Sequence, residues 1–182
     1  MTPARVVLTW RDYEATPNDG RRYEIHEGEL SVTASPRLKH QEALTNLVVA
    51  LYVHVRDRGL GKVLPAPTAV ILSDTTIVEP DIIYIATDRL GQISERGIEG
   101  PPTLAVEILS PSTTPIDRQT KMQLYARHGI PWYWIGDPDN RVVEVYRLAE
   151  GAYTLSLRVT GDEDLSAEPL ADLVIPLASL WT

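Results

Sequence analysis

The sequence contains no cysteine and no phenylalanine, and only two methionines. Without cysteine there is no disulfide framework, no thiolate metal centre and no cysteine nucleophile. This suits a reducing compartment, and the expected location is the cytoplasm. No stretch approaches the roughly 18 consecutive apolar residues that a membrane span needs. The opening MTPARVVLTWRDYE carries no signal-peptide pattern, because Arg5, Arg11 and Asp12 interrupt any apolar run. Internal repeats and low-complexity segments are also missing. Basic residues are absent from one end: from Thr160 onward there are Asp162, Glu163, Asp164, Glu168 and Asp172 but no Lys or Arg. The net charge of -8 argues against an ordinary nucleic-acid binder, whose footprint is basic. Setting the acidic end aside leaves 17 basic residues against 20 acidic ones, a net of -3. Proteins that use bound cations also keep carboxylates for the metal, so a nucleic-acid partner stays open.

What remains is a chain of 182 residues, 43% hydrophobic, enough for one domain over residues 1–182 with a real core. LTWRDYEA predicts a short helix capped by Thr9. RRYEIHEGELSVTAS predicts two short strands around a Glu27-Gly28 turn. Ser35-Pro36 has the form of a cap followed by a first-turn proline. After it, Leu44, Leu47, Val48, Leu51 and Val55 make a helical stripe that runs to about Arg58, with Gly59 and Gly61 ending it. Strands are expected over 62–72 (bent or at an edge, because of Pro65 and Pro67), 76–86 and 104–109. A second main helix is expected over 115–128, then a strand, a DPDN turn and two further strands. The order predicts an α/β fold with a mixed sheet covered by two long helices.

Two of these strands carry an acid where apolar residues dominate. Glu107 interrupts LAVEIL, and Asp81 opens DIIYIA after Pro80. A buried carboxylate costs several kcal/mol unless something pairs with it. If the strands are neighbours, the two acids repel and raise each other's pKa. A hard divalent cation such as Mg²⁺ or Mn²⁺ relieves that repulsion and activates water. Lys121 lies 14 residues beyond Glu107 on the next helix, with Asp117, Arg118 and Tyr125 at positions that share its side. Against this stands the plainer reading of each acid as an Arg partner or loop cap, and of Lys121 as a solvated helix residue.

The stretches YEIHEGEL, SPRLKHQEAL, LPAPTAVIL, VEPDIIYI, PPTLAVEILSPST, DRQTKMQLYARHGIPWYWIGDP and RVVEVYRL together resemble the Uma-type endonuclease family of the PD-(D/E)XK nuclease superfamily. The resemblance spans roughly residues 8 to 180. It implies a restriction-endonuclease-like mixed central sheet flanked by helices, with extra β-hairpins. It implies Asp81 and Glu107 as metal ligands and catalytic residues, with Mg²⁺ or Mn²⁺ as cofactor and the Ile108 carbonyl completing the shell. The superfamily places a lysine two residues after the acid, where this chain has Leu109; the family pattern supplies Lys121 instead. An acid from the first part of the chain is also implied, with Glu24 the candidate and Glu27 and Glu29 its competitors. His40 matches a family position and reads equally well as a surface histidine.

Other features have bland readings. DPDN is a turn rather than a calcium loop. Trp132, Tyr133 and Trp134 read as core rather than as a base-stacking surface. Ser110 or Ser112 reads as a helix cap, since no histidine accompanies either at a familiar spacing. Arg37, Lys39, Arg56, Arg58 and Lys62 form either a phosphate-binding groove or a solvated helix face. The expected function is metal-dependent hydrolysis of phosphodiester bonds in nucleic acid, with DNA as substrate and a homodimer as the working form. The alternative is a catalytically silent member that binds a protein or nucleic-acid partner through the same fold.

Overall fold

The computed structural model describes residues 6–34 and 37–181. The cap expected at Ser35-Pro36 lies outside the described residues. In chain order the elements are α1 (Trp10–Glu14), β1 (Arg22–His26), β2 (Glu29–Thr33), α2 (Leu38–Arg58), β3 (Gly61–Pro65), β4 (Val70–Ser73), β5 (Thr76–Val78) and β6 (Ile82–Ala86). Then come β7 (Ile93–Ser94), β8 (Gly97–Glu99), β9 (Leu104–Ile108), α3 (Met122–Arg127), β10 (Trp132–Asp137), β11 (Val142–Ala149), β12 (Ala152–Thr160), β13 (Asp164–Leu165) and β14 (Ile175–Pro176). Two mixed six-stranded sheets carry the fold, ordered β2-β1-β5-β4-β8-β7 and β12-β11-β10-β9-β6-β3, with β13 and β14 as a separate pair.

Prolines explain the largest departure from the sequence reading. The strand expected over 62–72 is two strands, β3 and β4, in different sheets. The one expected over 76–86 is likewise β5 and β6. Pro65 and Pro67 break the first, and Pro80 breaks the second. Proline donates no ladder hydrogen bond and forces its predecessor out of helical conformation, so the chain leaves one sheet and enters the other there. The β1–β2 hairpin turns at Glu27 and Gly28, both at positive φ (52° and 85°), which is the geometry a tight two-residue hairpin requires.

The second sheet is covered on both faces. On one, Leu44, Leu47, Leu51 and Val55 of α2 meet Val63, Ile82, Leu104, Val106 and Trp134, joined by Leu170, Leu177 and Leu180 of the final segment. On the other, Leu124, Tyr125 and Ile130 pack on Ile83, Ile85, Ala105, Tyr133 and Ile135, with Val70, Val78 and Ile98 from the first sheet. The segment expected as one helix over 115–128 begins as a π-helical turn, Ile116–Lys121, and only then becomes α3. Such wide turns are rare and gather at functional sites. Helix α2 is 21 residues long, so its ends lie roughly 30 Å apart. Arg37 and Lys39 therefore lie a helix length away from Arg56, Arg58 and Lys62. Lys39 pairs with Asp139, Arg56 with Asp57, and Arg58 with Asp172.

Candidate active site

Strands alternate their side chains, so Glu107 shares a face with Ala105, the face covered by α3. Asp81 sits one residue before β6, a bend rather than the strand position expected from the sequence. Because β6 and β9 are antiparallel with Ile82 opposite Val106 and Ile83 opposite Ala105, the same register sets Asp81 across from Glu107. Both acids are buried.

Asp81 is held on three sides. Its Oδ2 lies 3.0 Å from His40 Nε2 and accepts the Ile108 N–H at 2.7 Å. Its Oδ1 lies 2.9 Å from Arg22 Nη2. That ion pair lacks hydrogen-bond alignment, so Oδ1 is a buried oxygen without a directed donor among the described residues. Burial would raise the Asp81 pKa, but His40, Arg22 and the Ile108 amide outweigh it and hold the carboxyl below its usual range. An ionised Asp81 only accepts, so His40 Nε2 carries the proton between them. His40 Nδ1 is buried and has no hydrogen-bond partner among the described residues.

Glu107 lies at the centre. Its Oε1 accepts from Lys121 Nζ at 2.9 Å and from Tyr125 OH at 2.6 Å. Lys121 is only 3% exposed. Its ammonium also lies 3.0 Å from Glu24 Oε1 and 3.9 Å from Asp117 Oδ1. Glu24 is further tied down by the Glu79 N–H and by His26. Three carboxylates thus share one ammonium, and they divide it unequally. Burial raises Glu24, but Lys121, His26 and the Glu79 amide bring it down to about 2. Burial pushes Glu107 up to about 8, because Asp117, Asp81 and Glu24 offset the help from Lys121. Asp117 rises to about 6, again mainly through burial. Burial alone would discharge Lys121, but Glu107, Glu24 and Asp117 raise its pKa and keep it charged. At neutral pH, then, Glu24 and Asp81 are ionised and Glu107 holds a proton. With two donors already on Oε1, that proton belongs on Oε2.

Among these residues lies a small, narrow-mouthed cavity of about 20 Å³, room for roughly one water-sized occupant. Among the described residues no group of three or more His, Cys, Asp or Glu side chains is arranged to hold a metal.

The structure brings Asp81, Glu107, Lys121, Glu24 and His40 to this one cavity. Glu27 instead pairs with Arg127 at the surface, and Glu29 is exposed on β2. Arg22 and Asp117 complete the cluster. Asp117 was visible on the Lys121 side of its helix. Arg22 was not singled out, although Arg22, Glu24 and His26 alternate along β1 and so project a run of polar groups from one face. Arg118, one residue from Asp117, points away and pairs with Glu144 at 2.6 Å.

The mixed sheets, the flanking helices and the buried acids at the β6–β9 junction define a restriction-endonuclease-like α/β protein. The chain belongs to the Uma2 family, described as "putative restriction endonuclease", whose model matches residues 10–178. A solved structure from Anabaena variabilis ATCC 29413, described as a "putative nuclease" belonging to DUF820, has the same fold. It aligns with a TM-score of 0.78 at 20% identity over 96% of this chain and 97% of that one. No curated protein matches the chain. No helix among the described residues is long and apolar enough to cross a membrane.

Proposed function

We propose that this protein is a divalent-metal-dependent nuclease that hydrolyses phosphodiester bonds in DNA. The observation that carries this reading is the convergence of Asp81, Glu107 and Lys121, all buried, on one small cavity at the β6–β9 junction. The donor set suits a hard cation: two carboxylates, one with an oxygen lacking a directed donor, in a cluster whose acids outnumber its fixed cations. With Asp81 and Glu107 as its ligands, the site would match Mg²⁺ or Mn²⁺, which retain waters and use few protein ligands. A bound divalent cation would acidify a water and stabilise charge on the phosphoryl group.

Each residue then has a role. Asp81 and Glu107 supply the ligand oxygens. His40 and the Ile108 amide fix the orientation of Asp81, and Tyr125 fixes Glu107. Lys121, held by Glu24, presents an ammonium that orients the attacking water or neutralises charge on the scissile phosphate. Asp117, poised near neutrality, is placed to carry the proton away. Two copies acting as a homodimer would cut both strands of a duplex, and the substrate would be met in the cytoplasm.

One observation favours a catalytically silent protein that binds a protein or nucleic-acid partner. Lys121 and Glu107 are sealed from solvent, so a phosphate reaches them only if the site opens. Incubating the protein with single- and double-stranded DNA, with and without Mg²⁺ or Mn²⁺, separates the two. Metal-dependent cleavage lost in Glu107→Gln supports the nuclease. Tight DNA binding with no cleavage under any metal condition supports the silent protein.

A further inference from the structure

Arg22 stands between two spaces. One is the small, narrow-mouthed cavity at Asp81 and Glu107. The other is an open groove of about 420 Å³ that Arg22 lines with Arg21, Asn18, Gln41 and Glu79. Lys121 is locked behind three carboxylates, whereas the Arg22 side chain is 22% exposed and only its tip reaches inward, to Asp81 Oδ1. That contact is an ion pair without the geometry of a directed hydrogen bond, so only an ion that competes for the same oxygen would displace it. Glu79 lies 4.0 Å from Arg22 Nε on the groove side and offers a second carboxylate partner.

We propose that Arg22 is a displaceable stand-in for the divalent cation and, once displaced, a phosphate-binding residue. It rests on the nuclease reading above. In the metal-free protein the guanidinium neutralises Asp81 from the position that a cation on Oδ1 would need. A divalent ion and a guanidinium cannot share one carboxylate oxygen without strong like-charge repulsion. Binding of the ion therefore turns Arg22 outward along β1 into the groove, where Glu79 receives it until a nucleic-acid phosphate does. Arginine suits this exchange, since it is always charged and its planar fork matches phosphate oxygens in pairs. The same movement widens the mouth of the cavity, which holds only about one water-sized occupant, for a phosphate. Metal loading and substrate entry are thereby coupled through one side chain.

The test is calorimetric titration with Mn²⁺, without nucleic acid, of wild type, Arg22→Gln and Arg22→Lys. A second measurement is duplex DNA binding in Ca²⁺. Arg22→Gln is expected to bind Mn²⁺ at least tenfold more tightly than wild type, and DNA at least tenfold more weakly. Arg22→Lys keeps the charge and is expected to keep the weak Mn²⁺ affinity of wild type, with thermal melting reporting the fold of both variants. A merely structural arginine gives the reverse, looser Mn²⁺ binding along with a lower melting temperature. Unchanged or weaker Mn²⁺ affinity in Arg22→Gln overturns the proposal. If Asp81→Asn also leaves Mn²⁺ affinity unchanged, or if neither wild type nor Arg22→Gln binds the ion, the nuclease reading itself fails.

Discussion

Lowering the pH from 8 to 6 should weaken divalent-cation binding about fiftyfold, ~2.3 kcal/mol. The perturbation acts on Glu107. Its pKa is pushed up to about 8 by burial and by the neighbouring acids Asp117, Asp81 and Glu24. A cation binds the carboxylate and not the acid, so it must displace the proton. With a pKa near 8, Glu107 is about half ionised at pH 8 and about one per cent ionised at pH 6. Asp81 stays ionised across this range, held low by His40, Arg22 and the Ile108 amide against its burial, and contributes no slope. Binding at pH 6.5 should release close to one proton, and binding above pH 9 almost none. Calorimetric titrations with Mg²⁺ in buffers of different ionisation enthalpy count these protons directly. Affinity that is flat between pH 6 and 9, with no proton released, would refute the reasoning.

The same shift acts on stability, with the opposite sign from a paired carboxylate. Glu107 keeps its proton in the folded chain after an unfolded chain has lost it near the ordinary value of 4.5. Between about 4.5 and 8 the folded state therefore binds more protons, and Glu107 makes the metal-free protein less stable as pH rises. Asp81 does the reverse, since its folded pKa is lowered. Its contribution is present above the usual aspartate range and is lost as the pH falls below it. Saturating Mg²⁺ should remove the Glu107 penalty, so the gain in melting temperature on adding metal should be larger at pH 8 than at pH 6.

Lys121→Met removes the ammonium that Glu107, Glu24 and Asp117 share. It should abolish cleavage and cost about 3–5 kcal/mol, a fall of roughly 6–20 °C in Tm measured by thermal melting. Asp81→Asn should lose Mn²⁺ affinity in calorimetry and should also destabilise the fold by about 3 kcal/mol, because it removes the buried charge on which Arg22, His40 and the Ile108 amide converge. The sequence alone suggested that this substitution would relieve repulsion, but the structure shows Asp81 surrounded by His40, Arg22 and an amide rather than by acids alone. Tyr125→Phe removes one of the two donors to Glu107 Oε1. It should move the proton-release profile to higher pH. Leu109→Lys combined with Lys121→Ala should not restore cleavage in the nuclease assay; recovery to within tenfold of wild type would contradict the placement of Leu109 in the core.

The two strand acids were legible because a charge inside an apolar strand is conspicuous and needs a partner. Lys121 was legible through its helical spacing with Asp117 and Tyr125 and through the family resemblance. Arg22 was not, because it opens a strand in RRYEIH whose charges pass for an ordinary exposed hairpin. Only the first sheet, folded over the α3 face of the second, turns that face of β1 inward. Pro65 and Pro67 suggest a bent or edge strand, and β3 is an edge strand, but Pro80 gives no such warning in the sequence reading, which keeps 76–86 as one strand. The change of sheet was not legible, since whether a broken strand bends or changes sheet depends on partners far away in the chain. The π turn at Ile116–Lys121 has no local sequence signal either.

The position of the lysine follows from where β9 ends. The strand stops at Ile108, and the Leu109 N–H goes to the Gly136 carbonyl at 2.8 Å. Leu109 lies on the Glu107 face but beyond the ladder, packed with Ile83, Leu124 and Ile135. It lines a groove with Ser110 and Pro111 rather than the Asp81–Glu107 cavity. An ammonium at Leu109 would rise from an aliphatic cluster and lie outside the cavity where Glu24 and Asp117 join Glu107 around Lys121. At Lys121 the stem is equally buried, but three carboxylates meet the head group. A strand lysine answers only to the acid two residues before it. A helix lysine is held from both sheets at once, by Glu107 on β9 and by Glu24 on β1, and so binds the two sheets together at the point where the chemistry would take place.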